Sequence, residues 1–190
     1  MRIFGIDPGS ERTGYGCVET DGSRHRMVAC GAISVPASAA FPDRLHIIHS
    51  RLAALLLQHR PDAVALENVF FAANVRSALK LGHARGVAML AAVEAGVIVA
   101  EYTPAEIKRA VVGHGRAEKA QVQHMIKLLL GLPEIPTPHD AADALAVAIC
   151  HVHSSVPPRV TSAQPARSRS TSWRTYRADF ATASLRRAKP

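Results

Sequence analysis

Four acids in this 190-residue chain stand where a carboxylate is hard to keep. Asp7 ends the apolar run MRIFGID, just before Pro8-Gly9, and Glu67 ends the apolar run DAVALE. Asp140 and Asp143 stand three positions apart among alanines in the stretch PHDAADAL. A buried carboxylate costs several kcal/mol unless something pairs with it. The helix acids therefore either face water and cap a helix start, or hold a cation. Four carboxylates brought together would repel and raise one another's pKa. A divalent cation relieves that conflict, and an all-oxygen ligand set suits Mg2+ or Mn2+. Taken singly, each acid has an ordinary reading: a turn, a strand-end surface acid, a helix cap.

The elements that must position them follow from the pattern of apolar residues. MRIFGID reads as a strand closed by a turn, and TGYGCVE and RMVACGAISV as two more strands, joined through a hairpin at Asp21-Gly22. Leu45, Ile48, Leu52, Leu55 and Leu56 recur on one face of an amphipathic helix. DAVALE is a buried strand, residues 73–96 a long helix and GVIVAEY a fifth strand. Pro104 opens a short helix to Val112; residues 117–131 form another, ended by Gly131, and residues 139–153 the last. The order βββ-α-β-α-β-α-α-α predicts an α/β fold, one mixed sheet with helices on both faces. Asp7 and Glu67 then sit at strand ends, where α/β sheets usually bind ligands. Asp140 and Asp143, at i and i+3, share one helix face, Asp140 in the first turn where the helix dipole favours an anion.

Composition bounds the rest. No apolar run is long enough to span a bilayer, and the N-terminus lacks the pattern of a signal peptide. Cys17, Cys30 and Cys150 show no CxxC spacing and read as core residues in a reducing compartment, with the cytoplasm expected. The net charge of +8 is uneven: residues 155–190 hold eight basic residues against one acid. This Ser-, Pro- and Arg-rich stretch reads as a basic, disordered tail suited to a polyanion, or simply solvated, behind a domain of residues 1–154.

GIDPGSERTGYG, LENVFFAANVRSALKLGHARG, VVGHGRAEKAQVQHMI and HDAADALAVAICHVH together resemble the RuvC family of bacterial Holliday-junction resolvases, from Met1 to about His153. The resemblance implies a ribonuclease H-like fold with a five-stranded mixed sheet, and paired symmetric nicks in four-way DNA junctions, serving recombination and repair. It implies Asp7, Glu67, Asp140 and Asp143 as ligands of two Mg2+ ions per site, with Mn2+ able to substitute. Lys108 and Lys119 match lysines beside the scissile phosphate, and Phe70 an aromatic that stacks on bases at the opened crossover. Arg116, Lys80 and Arg85 are further DNA-contact candidates. His139 stands where some relatives place a metal-shell histidine, but Asp140 fits that role better here and His139 reads as a bystander. The pair Gly82 and Gly86 lies on the helix that resembles the family's dimer interface, so a homodimer is implied, as is docking on the RuvA–RuvB branch-migration complex.

Two rivals share parts of this pattern. Actin-like sugar and acetate kinases also open with a strand and an Asp-x-Gly turn, but need a second similar domain that the chain has no room for. A non-catalytic junction-binding scaffold is disfavoured by four intact acids.

Overall fold

The first strand shows how the molecule is layered. In β1 (Arg2–Asp7) alternate side chains part company: Phe4 and Ile6 enter one apolar cluster, Ile3 the other. The same period of two runs through β2 (Arg12–Thr20), where Cys17 and Val18 divide, and β4 (Ala63–Glu67), where Val64 and Leu66 face away from Ala63 and Ala65. The sheet is thus buried on both faces, and the computed structural model, which describes residues 1–68 and 74–155, shows helices on each.

Five strands lie in the order β3-β2-β1-β4-β5, with β3 spanning His25–Ser34 and β5 Ile98–Tyr102. β1 runs antiparallel to β2 and parallel to β4, and β4 parallel to β5, so the sheet is mixed, as expected. The hairpin between β2 and β3 turns at Asp21, whose Oδ1 accepts from the N–H groups of Ser23 and Arg24.

On one face lie α1 (Phe41–His59) and α2 (Val75–Glu94). Ile48, Leu52 and Leu56 are the buried residues of α1, while Leu45 and Leu55 only flank them, a narrower stripe than the sequence suggested. α2 begins at Asn74, whose Oδ1 caps Ser77 N–H at 2.9 Å, and buries only alanines: Ala84, Ala88, Ala91 and Ala92. On the other face α3 (Pro104–Val112), α4 (Lys119–Leu129) and α5 (His139–Ser155) pack together. α3 starts with a capping box, Thr103 and Glu106 exchanging hydrogen bonds, and stops at Gly113, whose φ of 90° a side chain would resist. α4 opens two residues later than its apolar pattern suggests, because Gln121 caps the Glu118 N–H at 2.9 Å; Lys119 is therefore the first helical residue.

α5 is buried almost all round, between the sheet and the other two helices. It gets that close because the strands beneath it are cut back to small residues. The register puts Gly16, Gly5, Ala65 and Ala100 in one row across four strands. A Cβ on Gly5 would lie 2.0 Å from the Ala144 carbonyl oxygen, and one on Gly14 2.1 Å from that of Asp140. Gly5, Gly14 and Gly16 thus form a trough for the helix.

Candidate active site

One step along the strands from that trough lies the row that carries the chemistry. Asp7 pairs with Gly14 across the antiparallel ladder, and Glu67 with Tyr102 across the parallel one. Ile6 is paired with Leu66, so Asp7 and Glu67 follow side by side, both pointing to the α5 face by the alternation of their strands. The turn after Asp7 is tied down by the fully buried Thr13, whose hydroxyl donates to the Gly9 carbonyl at 2.9 Å. Above this row the first turn of α5 delivers Asp140 and Asp143.

Asp7, Glu67 and Asp143 line a cleft of about 290 Å3 with Lys108, Lys119, Pro104, Ile107, Val122 and Ala146. Burial holds the Asp7 carboxyl far above the ordinary carboxylate range, reinforced by the charge of Glu67, a hydrogen bond to it, and the charges of Asp143 and Asp140. Burial raises Glu67 as well, while the bond from Asp7, Lys119 and Lys108 oppose it. Burial thus favours the protonated form of both carboxyls, that of Asp7 most. Lys119 Nζ lies 2.6 Å from Asp143 Oδ2, which raises the lysine's pKa. Asp140 stands beside the cleft, accepting from Arg12 Nη1 at 3.4 Å.

This arrangement concentrates negative charge in a half-buried cleft and answers it with side-chain cations. Among the described residues no three His, Cys, Asp or Glu are already gathered into a metal cage. Lys119 pairs with Asp143 inside the cleft and Arg12 with Asp140 at its edge, while Asp7 and Glu67 bond to each other. The donor set nevertheless fits a hard cation: four carboxylates from three elements, two of them losing hydration without any cation bonded directly to them.

The structure brings together Asp7, Glu67, Asp143, Lys108 and Lys119, with Asp140 at the edge. His139 is exposed and does not line the cleft, nor does Arg116, exposed in the α3–α4 connection. Lys80 and Arg85 belong to α2 on the far face of the sheet; Lys80 lies over the Phe41 ring at 5.9 Å, and Arg85 is ion-paired with Glu101. Their side chains are engaged within the chain and do not reach this cleft. Phe70 and Phe71 lie outside the described residues. Sequence reading passed over Arg12 and Thr13, and over the glycines on which the helix rests. The glycines did leave a signal, the two-residue spacing of Gly14 and Gly16 inside a strand, which marks close backbone approach.

Comparison with known proteins now decides the family. The family profile of the crossover junction endodeoxyribonuclease RuvC matches residues 3–151. The chain belongs to the RuvC family. It is 56% identical over 154 residues to the RuvC protein of Alkalilimnicola ehrlichii, covering 81% of this chain and 92% of that one. To the RuvC protein of Trichlorobacter lovleyi it is 52% identical over 182 residues, 93% of this chain and 99% of the relative. Among solved structures, Thermus thermophilus RuvC in complex with a Holliday junction substrate superposes with a TM-score of 0.74 at 36% identity, covering 80% and 94% of the two chains. The yeast mitochondrial Holliday junction resolvase, 13% identical with a TM-score of 0.55 over 80% and 78%, shares the fold. The ribonuclease H-like RuvC fold is thus established. No helix among the described residues is long and apolar enough to cross a membrane.

Proposed function

We propose that this protein resolves four-way DNA junctions as a Holliday-junction endonuclease, cutting phosphodiester bonds at the cleft lined by Asp7, Glu67 and Asp143. The observation that carries the reading is the convergence of these acids on one half-buried cleft that also holds two lysines. Asp7, Glu67, Asp140 and Asp143 would hold two Mg2+ ions, Mn2+ substituting. Ions so held would supply an activated water and stabilise the departing 3′-oxygen.

The chain's own residues do the rest. Asp7 and Glu67 would have to be ionised to hold a cation, so binding would strengthen as pH rises. Lys119, released from Asp143, and Lys108 across the cleft set ammonium charge where negative charge grows on the phosphate. The apolar wall of Ile107, Val122 and Ala146 limits solvent there and strengthens those interactions. Arg116, exposed near the start of α4, suits a backbone phosphate as a forked donor. Phe70 is the candidate for stacking on bases at the crossover. The basic stretch 155–190 adds non-specific attraction to DNA.

Two matched nicks require two active sites, and α2 supplies a surface for a two-fold partner. Val75, Leu79, Leu90 and Val93 are 76, 60, 51 and 65% exposed along it, and a Cβ on Gly82 or Gly86 would meet nothing within 4 Å among the described residues. An antiparallel α2 pair in a homodimer covers this stripe. Docking on the RuvA–RuvB complex completes the reading.

The test is cleavage of a synthetic four-way junction with and without Mg2+. Asp7→Asn, Glu67→Gln and Asp143→Asn should each abolish nicking and leave junction binding largely intact. Near-normal cleavage by any of them removes that residue from the active site.

A further inference from the structure

Three of the four acids have partners inside the cleft: Asp7 and Glu67 each other, Asp143 the ammonium of Lys119. Asp140 does not. Its partner, Arg12, is the first residue of β2 and lines no part of the cleft. The Arg12 side chain is 54% exposed and that of Asp140 30%. One guanidinium nitrogen meets the carboxylate at 3.4 Å, and Arg12 makes no other side-chain hydrogen bond among the described residues. A guanidinium carries five N–H donors. A long, single ion pair at this exposure is weak and easily exchanged.

We propose that Arg12 is a resident counter-charge for Asp140, which competes with the divalent cation for that carboxylate and, once displaced, turns to a backbone phosphate of the junction. The proposal rests on the reading of the four acids as a metal site. Its physical basis is charge balance. Without a cation, the guanidinium 3.4 Å from Asp140 is a positive charge at the edge of a cluster of four carboxylates. When a divalent ion reaches the acids, Arg12 faces like charge a few ångströms away and is driven off. Its backbone stays fixed in β2, so the side chain swings outward from the edge of the cleft, where the attacked strand must run. Lys119 stands in the same relation to Asp143, but from inside the cleft. Together they couple metal loading to DNA grip, with no movement of the backbone.

The experiment is a Mn2+ titration of the whole chain, followed by the electron paramagnetic resonance of the free ion, with Asp7→Asn as the blank. Arg12→Gln should tighten Mn2+ binding about three- to tenfold, the scale of one unit charge acting on a divalent ion across a screened surface. Arg12→Lys should fall between it and the wild type. Junction binding is then measured against salt, with Ca2+ and with chelator. With Ca2+ the Arg12→Gln slope of log K against log salt should be flatter by about 0.9, one phosphate contact on duplex DNA. With chelator the difference between the slopes should be clearly smaller, since Asp140 then competes with phosphate for Arg12. Unchanged Mn2+ affinity in Arg12→Gln overturns the competition, and equal slope changes with and without cation overturn the transfer to phosphate. A wild type that takes up no more Mn2+ than Asp7→Asn overturns the metal-site reading itself, a result distinguishable because it appears before Arg12 is altered.

Discussion

Two sets of glycines in this protein do opposite things. Gly5, Gly14 and Gly16 lie under α5, where any side chain would run into the backbone or into Leu145. Gly82 and Gly86 lie on α2 with open space over them. Both sets weaken the elements that contain them, by about 0.5–1 kcal/mol per residue relative to alanine. The first set is answered inside the chain: α5 sinks into the trough and carries two acids to within reach of Asp7 and Glu67. The second set meets nothing among the described residues, which leaves room there for a partner. A glycine inside a helix with open space over it is a stronger pointer to a partner than one that is packed.

The largest effect should follow from filling the trough. Gly5→Ala or Gly14→Ala sets a methyl group about 2 Å from a helix carbonyl, so α5 must shift or tilt. Overpacking of this kind should cost about 3 kcal/mol or more, read as a lowered denaturation midpoint in urea. Gly14→Ala should also stop junction cleavage, since the clash falls on Asp140 itself. An unchanged midpoint would mean that α5 does not rest on these glycines.

Much of this was legible in the sequence, because it follows from local periodicity. The strand and helix patterns led to five strands and five helices close to their observed bounds. The spacing of Asp140 and Asp143 placed both on one helix face. What could not be read was proximity, since Asp7 and Asp143 are brought together by long-range strand register and a buried helix. Arg12 was missed for a related reason. A charged residue at a strand start looks like solvated surface until its partner, 128 positions away, is known. The exposure of α2 was only half legible: its glycines stood out, but its buried face is alanine, and Leu79 and Leu90 point away from the sheet. Hydrophobicity alone would have turned that helix the wrong way.

A change with the opposite sign sharpens the comparison. The trough exists to seat a site that is itself unfavourable to the fold. Burial raises the Asp7 pKa in the folded state, so its contribution to stability is fully present below the ordinary carboxylate value and is lost as pH rises through the raised one. Metal-free Asp7→Asn should therefore be more stable than the wild type by about 1–2 kcal/mol at pH 8, with the gap closing towards pH 5. Millimolar Mg2+ should raise the melting temperature of the wild type and not that of the variant, because a ligand of the native state stabilises only where it binds. Equal pH profiles for the two proteins, without metal, would show that Asp7 carries no such burden.

The smallest effect on the fold should come from the open glycines. Gly86→Ala should stabilise α2 by about 0.5–1 kcal/mol, since a methyl group there touches nothing among the described residues. Gly86→Leu should keep the circular dichroism spectrum and lie within about 1 kcal/mol of the wild-type stability. The difference should appear in assembly. A leucine side chain projecting between Leu79, Val87 and Leu90 fills the shallow groove into which a second α2 would settle. Sedimentation at micromolar concentration should then show a dimer for the wild type and a monomer for Gly86→Leu. Paired incision of a junction should give way to single nicks, because each monomer keeps its own acids but no longer has a partner to cut the opposite strand. A leucine variant that still sediments as a dimer would place the interface elsewhere, and the open space over Gly82 and Gly86 would then need another occupant.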